Sequence, residues 1–197
     1  MNQYVDLDSR GGAGTGRPCV VHGGTRGPAP ELRAPFLRSN CAHRGLFAKD
    51  QSIPENSLPA FAAAVQGGYG IELDVQFTSD RKLVVFHDDT LDRMTTCKGW
   101  VRDYDWQTVG TLSLAGTEYN PPLFSQVLET VGGRVPLIVE IKSRQEYDGA
   151  YLDDLCRATL HALEGYGGPY CIESFDPRVV QRIRRMRPAC CGASWWT

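Results

Sequence analysis

Two carboxylates stand two residues apart in Ile71-Glu72-Leu73-Asp74-Val75. Side chains at i and i+2 of a strand point to the same face. The apolar flanks Ile71, Leu73 and Val75 predict that this strand is buried. Two like charges on a buried face repel unless something neutralises them. A divalent cation does so, and an all-oxygen set favours Mg2+ or Ca2+. Glu140 and Lys142 repeat the spacing in Leu137-Ile138-Val139-Glu140-Ile141-Lys142. Beside Glu72 and Asp74, Glu140 becomes a third metal oxygen, and Lys142 offers positive charge to an anionic substrate. Taken singly, the first pair also fits solvated acids at a strand end, and the second a buried ion pair. A cation and a lysine aimed at one point are how proteins stabilise charge on a phosphoryl group.

His43 follows the first strand-like run, and His87 ends Leu83-Val84-Val85-Phe86-His87. Imidazole titrates near neutral pH and can give or take a proton. Phosphodiester cleavage needs both acts: a base for the nucleophile and an acid for the departing alcohol. Sequence leaves open which histidine takes which part. Arg44 supplies planar donors suited to phosphate oxygens; its plainer role is a salt bridge, for which Glu55 is the candidate partner. His22 reads as solvated and His161 as surface or packing.

These groups need a frame. Strand-like runs fall near residues 37–43, 70–76, 83–87, 136–142 and 170–175, rich in Val, Ile, Leu and Phe as doubly buried strands are. Helices alternate with them. Asn56 or Ser57 can cap the first, whose apolar face is Leu58, Phe61, Ala62 and Val65, and Gly67-Gly68 ends it. Phe124, Val127, Leu128 and Val131 repeat that spacing before Gly132-Gly133, and Leu152, Leu155, Cys156 and Leu163 mark another helix. The last has Asp176 as N-cap, Pro177 at its first position, and Val179, Ile183 and Met186 on one face. Alternation predicts a parallel sheet with right-handed crossovers. No Gly-rich loop follows the first strand, which counts against a dinucleotide fold. The polar residues stand at the C-terminal ends of several strands, where a (β/α)-barrel builds its active site.

In order, His43-Arg44-Gly45, Pro54-Glu55-Asn56-Ser57, Glu72-Leu73-Asp74-Val75, Val85-Phe86-His87-Asp88, Glu140-Ile141-Lys142 and Glu173-Ser174-Phe175-Asp176-Pro177 resemble the glycerophosphodiester phosphodiesterase family. The resemblance runs from about residue 40 to 188. It implies a TIM (β/α)8-type barrel that cleaves glycerophosphodiesters to glycerol 3-phosphate and an alcohol, with one divalent cation, Mg2+ or Ca2+. It implies Glu72, Asp74 and Glu140 as metal ligands, His43 and His87 as the acid/base pair, and Arg44 and Lys142 as phosphate contacts. Glu55, Asn56 and the Glu173-Ser174-Phe175 segment would stand behind these or line the pocket. The nucleophile would be the substrate's own glycerol hydroxyl or water. The barrel should have eight strands; five are legible, with a sixth beginning near Cys190, so the chain is expected to be truncated at about the sixth strand. The open barrel edge that follows would allow oligomerisation. Rival readings are a phospholipase D-like activity on lysophospholipids, a non-catalytic remnant, and a metal-dependent aldolase or isomerase on the same barrel.

Residues 1–36 are rich in Gly, Pro and Arg without periodicity, and are expected to form a flexible leader to a barrel domain at 37–197. A net charge of -2 gives no basic field for nucleic acid, so the expected partner is a small molecule. No apolar run reaches transmembrane length. Seven scattered cysteines without a Cys-x-x-Cys pair predict free thiols and a cytoplasmic setting.

Overall fold

The structure, a computed structural model, describes residues 34–36, 38–187 and 192–193. The expected leader lies outside the described residues except for 34–36, which are helical. Along the described chain run β1 (Cys41–His43), α1 (Leu58–Gln66), β2 (Gly70–Phe77), β3 (Leu83–Val85), a 3-10 turn (Val101–Asp103), α2 (Trp106–Val109), α3 (Phe124–Val131), β4 (Leu137–Ile141), α4 (Gly149–Ala162), β5 (Tyr170–Glu173), α5 (Pro177–Met186) and β6 (Gly192–Ala193). Strands β1, β2, β4, β5 and β6 lie side by side in that order, every pair parallel. Helices cross between them, as expected of parallel strands in a barrel.

Alternation along β2 separates two environments. Ile71, Leu73, Val75 and Phe77 join the main core with Leu137, Val139 and Ile141 of β4 and Tyr170 and Ile172 of β5. Helices α1, α3, α4 and α5 cover this face with Phe61, Phe124, Val127, Leu155 and Ile183. Each such side chain, fully buried, stabilises the fold by roughly 1.5–3 kcal/mol. The other face of β2 carries Glu72, Asp74 and Gln76, also buried. The outer layer therefore holds the sheet, and the inner face is free to carry polar groups.

Three sequence expectations are corrected, and the open choice of helix cap is settled. The first strand begins at Cys41 rather than near 37, after a bend at residues 38–39. The cap of α1 is Ser57, whose side chain accepts from Ala60 N, while Asn56 is spent elsewhere. Its fully buried face is Ala60, Phe61 and Ala64, with Ala62 only half-buried and Leu58 and Val65 at the margin. The last correction matters most. β3 is no barrel strand in the parallel series: it runs antiparallel to β2, Val85 opposite Val75 and Leu83 opposite Phe77. β2 overshoots the sheet, turns through Thr78–Lys82, and the chain comes back. The return delivers His87 to the C-terminal rim, with Phe86 N donating to Asp74 O at 3.0 Å.

β3 is also a shared wall. Val85 belongs to the main core, whereas Val84 and Phe86 face a second, smaller core with Leu91, Met94, Val101, Val109 and Leu114. The segment between β3 and α3 thus has packing of its own.

The turn after β1 is tight. Arg44 and Gly45 both have positive φ, 59° and 82°. A Cβ on Gly45 would come within 2.9 Å of Ala60 Cβ and 3.0 Å of Phe61 Cδ1. Gly45→Ala is therefore expected to cost about 1–3 kcal/mol from backbone strain alone, with the clash against α1 in addition. Urea unfolding measures it; a loss below about 0.5 kcal/mol, the range of a neutral surface change, would show that the turn adapts.

Candidate active site

Strand register gathers the polar residues into two rows on the inner face. His43 of β1 lies opposite Glu72 of β2. One step further along, Asp74 lies opposite Glu140, and Glu140 opposite Glu173. Partners in a parallel sheet share a face, so three strands bring four carboxylates to one rim. Ligand oxygens of Glu72, Asp74 and Glu140 lie within 4.8 Å of one another, all buried. Burial first, then Asp74, Glu173 and Glu140, holds the Glu72 carboxyl well above the ordinary carboxylate range. Burial also raises Glu140, against the pull of Lys142.

Lys142 follows β4, its amide donating to Val75 O at 3.0 Å. Its ammonium lies 3.0 Å from Glu140 Oε1 and 3.4 Å from Asp74 Oδ1. Burial alone would lower its pKa, but Asp74 and Glu140 outweigh it and keep the amine charged. Asn56, in a left-handed backbone position with φ 54°, donates Nδ2 to Asp74 Oδ2 at 2.8 Å. Asn tolerates that conformation better than most residues. Glu72 Oε2 accepts the Arg44 amide at 3.1 Å and lies 3.7 Å from His43 Nε2.

The donor set fits a divalent cation. Asp74 Oδ1 and Asn56 Oδ1 are buried oxygens with no hydrogen bond; Lys142 near Oδ1 is an ion-pair neighbour only. Buried acceptors without a donor are costly. Here they stand beside three carboxylates whose mutual repulsion a dication would cancel, and hard oxygen ligands are what Mg2+ and Ca2+ take.

The two histidines stand at the same rim. Burial, then the Arg44 charge, lowers the His43 pKa, and His87 is close enough to lower it further. His87 Nδ1 lies 2.6 Å from Asp88 Oδ1. Arg44 makes the plain salt bridge, Nη1 to Glu55 Oε1 at 2.9 Å. Its Nε is buried without a hydrogen bond, 3.8 Å from Asp74 Oδ2. Glu173 joins the acidic row, and Ser174 and Phe175 line a cleft of about 510 Å³ that opens beside Glu140 and Lys142. His161 is exposed on α4 and pairs with Glu164.

Sequence reading passes over Arg93 and gives Asp88 no role of its own. Arg93 grips both Asp88 and Glu55. Its only sequence signal is an arginine six residues after His87 in an aperiodic segment.

Acids gathered at the C-terminal ends of parallel strands, with helices outside, define a TIM-barrel protein with a metal-type site. The chain belongs to the glycerophosphoryl diester phosphodiesterase family, which it matches over residues 43–194. It is 40% identical over 156 residues to a glycerophosphodiester phosphodiesterase of Caldanaerobacter subterraneus subsp. tengcongensis, covering 75% of this chain and 62% of that protein. It is 33% identical over 156 residues to the putative glycerophosphodiester phosphodiesterase YhdW of Bacillus subtilis, covering 75% and 61%. The chain thus spans about six-tenths of the length of these curated relatives. A putative glycerophosphoryl diester phosphodiesterase from Silicibacter pomeroyi shares the fold with a TM-score of 0.70 at 23% identity, covering 78% of this chain and 63% of that one. A phosphodiesterase from Oleispira antarctica, solved with the product sn-glycerol-3-phosphate, superposes with a TM-score of 0.67 at 22% identity, covering 77% and 63%.

Proposed function

We propose that this chain is the catalytic part of a metal-dependent phosphodiesterase that hydrolyses glycerophosphodiesters to glycerol 3-phosphate and an alcohol. The observation that carries the reading is the single rim holding Glu72, Asp74 and Glu140 within 4.8 Å of one another, with Lys142 and the two histidines beside them. A divalent cation bound by the three carboxylates would draw charge from the phosphoryl oxygens. Lys142 adds a fixed positive charge at the same point. Arg44, anchored on Glu55, holds the charge of its guanidinium next to the acids. His43, kept neutral by its lowered pKa, suits the base that takes a proton from the attacking group, which is water or the substrate's own glycerol hydroxyl; in the second case water then opens the cyclic phosphate to glycerol 3-phosphate. His87, steadied through Nδ1, presents Nε2 to return a proton to the leaving alkoxide. The cleft bounded by Ser174 and Phe175 gives the substrate room.

A soluble cytoplasmic setting is part of the proposal. Cys41, Cys97, Cys156 and Cys171 are not joined in disulfides, and no helix among the described residues is long and apolar enough to cross a membrane. Residues 1–36 as leader to a barrel domain at 37–197, and self-association through the β1 edge, belong to the same reading.

The deciding experiment measures glycerol 3-phosphate released from glycerophosphocholine and glycerophosphoethanolamine, with Mg2+ or Ca2+ and with EDTA. Release that stops in EDTA is expected. Release of phosphocholine instead, or hydrolysis of lysophosphatidylcholine alone, would overturn the assignment of substrate.

A further inference from the structure

Behind His87 lies a chain of charged groups in which every link is within hydrogen-bonding distance. His87 Nδ1 meets Asp88 Oδ1 at 2.6 Å. Arg93 holds the same carboxylate through Nε to Oδ2 at 2.6 Å and Nη2 to Oδ1 at 3.0 Å. The far side of its guanidinium holds Glu55, Nη2 to Oε1 at 2.6 Å and Nη1 to Oε2 at 3.2 Å. Glu55 Oε1 also accepts Arg44 Nη1 at 2.9 Å, and Arg44 takes its backbone place between Glu72 and Asn56. The line therefore runs from the rim histidine to the turn that touches the acidic row.

Three readings of Arg93 compete: a phosphate ligand, a plain surface salt bridge, and a mount for His87. Its donors decide against the first. A guanidinium has five N–H groups. Nε and both protons of Nη2 go to the two carboxylates, and Nη1 serves Glu55 and Met94 Sδ at 3.0 Å. No donor is left for a substrate. Geometry decides against the second. Glu55 is buried, and both carboxylates are gripped by two nitrogens of one plane, which fixes them far better than an exposed pair does. Burial would raise the Asp88 carboxyl, yet its bonds to His87 and Arg93 hold it far below the usual range, so it stays a charged acceptor.

We propose that Arg93 is a positioning residue: it locks Asp88 so that Asp88 fixes the His87 ring with Nδ1 as donor and Nε2 as the atom that exchanges protons. Glu55 is the keystone, tying that mount to Arg44. The role deepens the reading of His87 as an acid/base group and rests on it for its catalytic meaning. Lysine cannot substitute, because an ammonium has no plane with which to fork two carboxylates.

The test reads the ring itself and needs no turnover. The chain holds four histidines. With 15N-labelled histidine, long-range proton–nitrogen spectra above about pH 8, where imidazole is neutral, report the tautomer of each; His87→Asn assigns the His87 signals. The parent chain is expected to show His87 protonated on Nδ1. Arg93→Gln and Arg93→Lys should both lose that preference while Tm stays within a few degrees, and kcat should fall roughly 10–100-fold, the range for a group that orients a functional side chain. KM should move less than about threefold, and the kcat loss should vanish in a His87→Ala background, since residues acting as a unit are not additive. An Nδ1 tautomer retained in either variant, or a parent His87 protonated on Nε2, overturns the proposal. Unfolding of both variants makes Arg93 a residue of the fold and overturns it too. Absence of glycerophosphodiester turnover in the parent would instead strike the proposed function and leave the tautomer result standing.

Discussion

Asp74→Asn is expected to abolish turnover and also the rise in Tm that Mg2+ or Ca2+ gives the parent chain. Asp74 is fully buried and sits in the middle of the site: Asn56 donates to one oxygen, and the other accepts no hydrogen bond. Removing its charge removes a ligand and leaves Lys142 with Glu140 alone. A cation at a hundredfold excess over its Kd stabilises the native state by about 2.7 kcal/mol. For a chain of this size that is a Tm rise of roughly 5–10 °C. The sign of the pH dependence follows from Glu72, whose folded pKa is raised by burial and by its acidic neighbours. Its contribution to stability is complete below the ordinary carboxylate pKa and is lost as pH rises through the raised value. The cation-free chain should therefore lose stability between the ordinary carboxylate range and that value, and saturating Mg2+ or Ca2+ should restore it. Scanning calorimetry from acid to neutral pH, with and without EDTA, reads both effects. An unchanged Tm with cation, together with full activity in EDTA, would remove the metal from the site.

Replacing either histidine should be nearly as damaging. His43→Ala and His87→Ala are each expected to lose about 10²–10⁴-fold in kcat, the scale for a positioned proton-transfer group. His43 has its pKa lowered by burial and then by Arg44, and a cation beside Glu72 would push it the same way. The acid limb of a bell-shaped kcat/KM profile should thus lie below about 6.5, the unperturbed imidazole value, and should disappear in His43→Ala. A profile that keeps both limbs in that variant, or a variant within about threefold of the parent against the expected losses, would make His43 a structural residue.

The gathering of the acids was legible because residues two apart on a buried strand share a face, which sets Glu72 with Asp74 and Glu140 with Lys142. The salt bridge of Arg44 with Glu55 followed from residue types alone. Direction was not legible at β3, because an apolar run such as Leu83 to Phe86 reads alike whichever way the strand lies. Nor was the rotation of α1, where alanines at 60 and 64 bury as well as larger residues do. Arg93 lay beyond reach for a different reason. Its partners, Glu55 and Asp88, are 38 and 5 residues away, and an arginine in an aperiodic loop carries no mark of the company it keeps.

The split allegiance of β3 has a further consequence. The acids hang from strands knitted into the main sheet, whereas His87 emerges from an arm whose Val84 and Phe86 are seated in the smaller core. Cooperative units of unequal size open at unequal free energies. The arm stays tied to the sheet through Val85 in the main core and through Phe86 N, which donates to Asp74 O at 3.0 Å. The placing of His87 therefore depends on packing that the carboxylates do not share, and substitutions in the smaller core reach it before they reach the acidic row.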